Sequence, residues 1–234
     1  MTSDDGRRPG QGDVKGVVVD IDGTLSGKNR RIGLEAVAAL REVNDSGAVV
    51  MLASGNVLPV AYSLAVYCGF EGPIIAENGG IVSRGQEVWR LAEPDEPLRA
   101  FEHLAGSMRV ERLFTDRWRE TEVGIKQDHA LDEVRRLVEG FEVDVQSTGW
   151  AIHIMRKGMD KMTGVRKACE ISGLDVRDVA AIGDSENDER MLRECGWGVS
   201  VGNAPEKTKR SAAHVVASES GDGVVEALRW LRLL

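Results

Sequence analysis

Three short apolar runs in this chain each stop at a cluster of small polar and acidic residues. Residues 16–20 (GVVVD) lead into Ile21-Asp22-Gly23-Thr24, residues 48–53 (AVVMLA) into Ser54-Gly55-Asn56, and residues 179–182 (VAAI) into Gly183-Asp184-Ser185-Glu186-Asn187-Asp188. Runs of this length, rich in β-branched residues and without polar alternation, are strands covered on both faces. Helical patterns separate them: Leu34, Val37, Leu40 and Val43 recur at helical spacing before Gly47, and a second helix is expected over 59–68 with Pro59 in its first turn. Strands alternating with helices predict an α/β fold, a doubly wound, Rossmann-like parallel sheet with right-handed crossovers. In such a sheet the strands' C-terminal ends share one rim, where ligands bind. All three polar clusters fall on that rim.

The rest of the chain fits this frame, with one interruption. Residues 73–76 (PIIA) read as a third strand, the surroundings of Val199 and Val201 and residues 214–217 as two short ones, and residues 224–233 as a closing helix. Between 81 and 155 the rhythm changes. A hairpin is expected over 81–91 with its turn at Arg84-Gly85, helices near 97–107 and 131–140, and strands over 141–146 and 150–155 joined at Ser147-Thr148-Gly149. This α+β module is expected to be an insertion, residues 84–155, between core segments 15–83 and 156–234. Residues 1–14 read as a disordered tail, since residues 1–13 lack the apolar stretch of a signal peptide.

Composition removes several classes of function. Across 234 residues, thirty Lys and Arg face thirty-eight Asp and Glu, a net charge of −8 at pH 7. That balance repels a nucleic-acid backbone and an anionic membrane surface, so neither partner is expected. Cys68, Cys169 and Cys195 are odd in number and widely spaced, which suits buried thiols in a reducing cytoplasm. His103, His129, His153 and His214 are dispersed without a zinc-binding pattern and read as surface or satisfied core residues. There is no G-x-G-x-x-G after the first strand and no G-x-S-x-G, which disfavours a dinucleotide-dependent dehydrogenase and a serine hydrolase.

The rim residues carry the chemistry. Asp20 and Asp22 stand two apart where Gly23 turns the chain, and close carboxylates need a shared cation or proton. Asp184 and Asp188 offer the oxygen ligands that Mg²⁺ prefers. The Ser54 hydroxyl and the flexible backbone at Gly55 can donate to an oxyanion. Lys161 opens a helix before the fourth strand. Taken singly, each has an ordinary reading: a solvated turn, a helix cap, an exposed lysine. Their order along the chain is what distinguishes them.

That order, Asp-x-Asp-Gly-Thr, then Ser, then Lys, then Gly-Asp-x-x-x-Asp, resembles the four motifs of the haloacid-dehalogenase superfamily of phosphohydrolases, and the insertion resembles its C2-type cap. The resemblance implies Asp20 as nucleophile and Asp22 as general acid and base. It implies Mg²⁺ held by Asp20, Asp184, Asp188 and the backbone carbonyl of Asp22, with Ser54, Gly55, Lys161 and Asn187 binding the phosphate. Ser54-Gly55-Asn56-Val57 with Pro59, Glu77-Asn78-Gly79-Gly80, and Thr115-Asp116-Arg117-Trp118-Arg119-Glu120 are similar to the archaeal-type phosphoglycolate phosphatases. A small phosphorylated metabolite is therefore the expected partner, 2-phosphoglycolate first. A sugar-phosphate phosphatase, a phosphomannomutase-like phosphotransferase and a receiver-like signalling module are the alternatives. Arg117 and Arg119 are expected on one face of a strand with Trp118 on the other; one of the two, Arg119 first, or Arg156 near the hinge, would meet the substrate carboxylate unless the pair simply faces solvent. Trp89, Trp118, Trp150, Trp197 and Trp230 are expected to pack cap and core, with pairing of two protomers through cap strands left open.

Overall fold

The computed structural model describes residues 8–148 and 150–234; residues 1–7 and Gly149, the last residue of the expected Ser147-Thr148-Gly149 link, lie outside it. The chain runs β1 (Gly16–Asp20), α1 (Leu34–Asp45), β2 (Val49–Ala53), α2 (Leu58–Cys68), β3 (Ile74–Ala76), β4 (Ile81–Arg84) and β5 (Glu87–Arg90). Then come α3 (Asp95–Ser107), β6 (Glu122–Lys126), α4 (Leu131–Leu137), β7 (Val143–Ser147) and β8 (Ala151–Arg156). It closes with α5 (Lys161–Ser172), β9 (Val179–Gly183), α6 (Glu189–Glu194), β10 (Trp197–Ser200), α7 (Glu206–Lys209), β11 (His214–Val215) and α8 (Ser220–Trp230). Among the described residues no helix is long and apolar enough to cross a membrane.

One eight-stranded sheet has the order β11-β10-β9-β1-β2-β3-β4-β5, parallel from β11 to β3 and antiparallel at β4 and β5. The alternation within β1 explains why it is central. Val17 and Val19 join one buried cluster with Leu40 and Val43 of α1 and Val224 and Leu228 of α8. Val18 joins a second with Met162 and Val165 of α5 and Met191 and Leu192 of α6. Both faces are therefore covered, and GVVVD needs no polar alternation. From β1 the sheet grows toward β2 and β3 on one side and toward β9, β10 and β11 on the other, so the direction of winding reverses at β1 and β9. Asp20 pairs with Ala53, and Val19 with Ile182, which brings the three polar clusters to one level.

The second sheet is antiparallel, β6-β8-β7, with β8 central. Its alternation separates two faces. Val123, Ile125, Ile152, Ile154 and Val145 pack with Ala100 and Leu104 of α3 and Val134 and Val138 of the α4 region. The opposite face carries Glu122, Gly124, Ala151, His153 and Met155, with Gly124 opposite His153 and Glu122 opposite Met155.

Three expectations change. The hairpin split at residue 84 is whole: both of its strands extend the eight-stranded sheet, because β4 finds an open edge on β3. Of the expected tail, residues 1–7 lie outside the described residues, and residues 8–14 are anchored at both ends. Arg8 donates from Nε to the Trp230 carbonyl (2.7 Å) and Val14 is buried in the core. Residues 114–118 form a 3₁₀ turn, so strand alternation does not govern Arg117 and Arg119. Arg117 lies over the Phe114 and Trp118 rings, while Arg119 leaves the turn in extended conformation and points inward.

A strained joint ties the two sheets together. Glu77, Asn78 and Gly79 have φ of 49°, 51° and 95°, three consecutive left-handed residues. The buried Glu77 carboxylate accepts from the backbone N–H of Glu120 (3.1 Å) and Thr121 (2.8 Å) and from the Thr121 hydroxyl (2.8 Å), where the chain enters β6. At Gly79 a Cβ would lie 2.0 Å from the Asp160 carbonyl, so the start of α5 rests directly on this turn. Gly79→Ala is therefore expected to cost about 2 kcal/mol or more, read as a lowered denaturation midpoint at unchanged slope. Burial, then the neighbouring Glu122 charge, pushes the Glu77 carboxyl from its ordinary 4.5 up to about 7. The folded chain thus binds the extra proton, and that stability is complete below about pH 4.5 and lost as pH rises to about 7. Relative to Glu77→Gln, the wild type should lose thermal stability across that window; parallel curves for the two proteins would refute the assignment.

Candidate active site

The rim at the reversal of the sheet collects the charged residues. Asp20 ends β1, Lys161 is the first residue of α5, and Asp184 and Asp188 follow β9. The Asp160 carboxylate caps α5 by accepting from the Thr163 N–H (3.0 Å), which fixes where Lys161 leaves the helix. The fully buried Lys161 ammonium donates to Asp20 Oδ1 (2.5 Å) and to Asp188 Oδ1 (2.7 Å). Burial opposes its charge, but Asp188 and Asp20 outweigh burial and raise its pKa. Asp188 Oδ2 accepts from the backbone N–H of Asp184 and Ser185, both 3.0 Å, so this carboxylate also shapes the loop after β9.

Asp184 is reached from two other strand ends. Its Oδ1 accepts from the Thr24 hydroxyl (2.9 Å) and its Oδ2 from Asn203 Nδ2 (3.2 Å). Asn203 also donates to the Gly23 carbonyl (3.0 Å), as does the Ser220 hydroxyl (3.1 Å). At Gly23, where φ is 99°, a Cβ would stand 2.3 Å from Asp184 Oδ2. Only glycine lets the two loops meet. Asn203 and Ser220 are absent from the sequence reading; Asn203 follows the strand-like Val199–Val201 stretch, so the same strand-end rule would have found it.

Asp20, Asp184 and Asp188 each offer a carboxylate oxygen, all within 4.8 Å of one another. One ammonium serves this acidic group. Burial, and then the Asp188 charge, pushes Asp20 well above the carboxylate range and Asp184 up to about 7. Asp20 Oδ2 is buried with no hydrogen-bond partner. Clustered oxygen donors, too little positive charge and an unsatisfied buried oxygen fit a hard divalent cation.

A cavity of about 280 Å³ lies between this rim and the small sheet. Its floor includes Asp20, Asp22, Gly55, Asn56, Ser185 and Asn187, and its roof includes Phe114, Thr115, Arg119, Trp150 and His153. Arg30, from the loop after β1, lies 5.0 Å from the Trp150 ring centroid and also borders the cavity. Asn187 Nδ2 donates to Asn78 Oδ1 (3.0 Å). Ser54 is buried, and its hydroxyl accepts from the Asn56 N–H (2.9 Å). Arg119, only 2% exposed at its side chain, donates to the Gly55 carbonyl (3.0 Å) and pairs with Glu122. Arg156 instead pairs with Asp95 (3.1 Å) at the surface. Sequence reasoning missed Glu122 and treated His153 as packing, since neither sits in a motif; only the strand register puts them on the roof.

The chain matches the family model of haloacid dehalogenase-like hydrolases over residues 17–104 and 125–228. A curated phosphoglycolate phosphatase of Methanopyrus kandleri is 40% identical over 222 residues, covering 92% of this chain and 96% of that protein. The phosphoglycolate phosphatase of Methanothermobacter thermautotrophicus is 36% identical over 216 residues, covering 92% and 98%. Among solved structures, Thermoplasma acidophilum 0175 superposes with a TM-score of 0.88 at 27% identity, covering 94% of this chain and 99% of that one. A HAD subclass IIB sugar phosphatase shares the fold, with a TM-score of 0.80 at 20% identity over 94% of this chain and 100% of that one. Its sequence, with matching relatives across nearly its whole length, places this chain among the haloacid dehalogenase-like hydrolases.

Proposed function

We propose that this protein is a Mg²⁺-dependent phosphomonoesterase that hydrolyses 2-phosphoglycolate to glycolate and phosphate through an aspartyl-phosphate. The observation that carries the reading is Asp20: one carboxylate oxygen is held by Lys161, and the other has no hydrogen-bond partner among the described residues at the floor of the cavity. A nucleophile needs that free lone pair. The substrate assignment is supported by the archaeal relatives named phosphoglycolate phosphatase, which align over nearly the whole chain. The small cavity fits a short phosphate ester. Three free buried cysteines suit action in a reducing cytoplasm.

Asp20 Oδ2 attacks phosphorus and the ester oxygen departs, taking a proton from Asp22. Glycolate leaves. Asp22 then draws a proton from water, the water oxygen attacks phosphorus, and the bond to Asp20 breaks, releasing phosphate and restoring the carboxylate. Lys161 neutralises the transferring oxygens as a point charge. The Ser54 hydroxyl already accepts from Asn56 and keeps its own proton to donate. The Gly55 backbone and the Asn187 amide border the same space, and Arg119 meets the carboxylate from above. Mg²⁺, held by Asp20, Asp184, Asp188 and the carbonyl of Asp22, would offset the charge between nucleophile and phosphate.

Asp20→Asn should lower turnover of 2-phosphoglycolate by about 10³-fold or more while leaving thermal unfolding unchanged or slightly improved, since the amide removes a buried charge. Near-wild-type activity in folded protein would refute the nucleophile. Mg²⁺ should raise the melting temperature saturably, and Asp184→Asn should abolish most of that shift; an equal shift in both proteins would remove Asp184 from the cation site. A substrate panel that includes sugar phosphates separates the proposed reaction from a sugar phosphatase, and phosphate release without an acceptor separates it from a phosphotransferase.

A further inference from the structure

The roof of the cavity contains a buried carboxylate that the proposed mechanism does not use. Glu122, at the start of β6, is 3% exposed and has three polar partners. Its Oε1 meets His153 Nδ1 (2.8 Å) and pairs with Arg119, and its Oε2 accepts from Asn78 Nδ2 (2.9 Å). Burial pushes this carboxyl up, but His153 and Arg119 outweigh it and hold it below its ordinary value. An ionised carboxylate only accepts, so His153 presents its proton on Nδ1. The other ring nitrogen, Nε2, has no protein partner among the described residues, and His153 borders the cavity.

The register of β6 and β8 makes room for this arrangement. Gly124 stands between Glu122 and the cavity end of β6, directly opposite His153. A Cβ at 124 would lie 2.7 Å from Arg119 Nε, so the missing side chain is the slot in which the guanidinium lies. Arg119 Nε is buried without a hydrogen bond and faces the Asp116 carboxylate at 3.7 Å. Two basic side chains held by one carboxylate thus border the cavity.

We propose that Glu122 is a positioning residue that aims Arg119 and His153 into the cavity, where the two together bind the anionic end of the substrate remote from the phosphate. The chemical class selected is a short phosphate ester bearing a carboxylate. Arg119 supplies a planar set of N–H donors, and His153, held through Nδ1 by Glu122, borders the same cavity. This deepens the proposed function and rests on it.

The test is the ratio of kcat/KM for 2-phosphoglycolate to that for ethyl phosphate, which has the same two carbons and no carboxylate. It is measured on the full chain with Mg²⁺ for wild type, E122Q and H153Q. The wild type should favour 2-phosphoglycolate, and each variant should lose at least tenfold of that ratio, mainly through a raised KM for 2-phosphoglycolate. A purely structural defect lowers both substrates together and leaves the ratio in place. Ratios within twofold of wild type in the folded variants overturn the proposal while sparing the substrate reading. Should E122Q fail to fold, H153Q decides alone. A wild type with no preference overturns the substrate reading, and this proposal with it, before any variant is made.

Discussion

A buried ammonium organises the acidic rim. Lys161 is enclosed between Asp20 and Asp188, which come from different strand ends, and neither carboxylate could be buried there without it. The same contacts fix three loops: Asp188 uses its second oxygen to hold the turn after β9, Asp20 is set at the end of β1, and α5 is placed by its capping Asp160. Because Lys161 satisfies only part of the negative charge, the rim stays deficient in positive charge. That deficit leaves room for a cation that a closed salt bridge would not have.

The small sheet meets this rim through polar contacts as well as apolar packing. Glu77 grips the chain as it enters β6, Asn78 links Glu122 to Asn187, and Arg119 reaches the carbonyl of Gly55. Each contact joins a roof residue or the chain entering the roof to a core loop that borders or supports the floor. The position of the roof is therefore coupled to the geometry of the loops that carry the chemistry. The left-handed run at Glu77–Gly79 is held in place by contacts on both sides, the backbone of α5 below and the entry to β6 above.

What the sequence showed, and what it hid, follows from how local each signal is. The parallel sheet and its polar rim were legible because every buried strand announces itself in four or five residues and every rim residue is adjacent to one. Asp20, Asp184 and Asp188 stood out for that reason and Lys161 through its place in the order of motifs, and the four converge in space. The roof was not legible in the same way. Arg119 follows a 3₁₀ turn that the Thr115–Glu120 stretch does not signal, so alternation misplaced it beside Arg117. Glu122 and His153 acquire meaning only from the pairing of β6 with β8, two strands separated by a helix and a third strand. The hairpin after β3 was recognised, but whether it paired with the core edge depended on a free edge that no local pattern encodes.

The two-sided character of the small sheet carries a consequence for descent with modification. Residues 123, 125, 152 and 154 build the apolar layer beneath α3 and α4, while 122, 124, 151 and 153 line the opposite face. Exchanges at the even positions of β6 and the odd positions of β8 therefore leave that apolar layer intact. A lineage can vary the face turned toward the cavity without first rebuilding the apolar layer behind it.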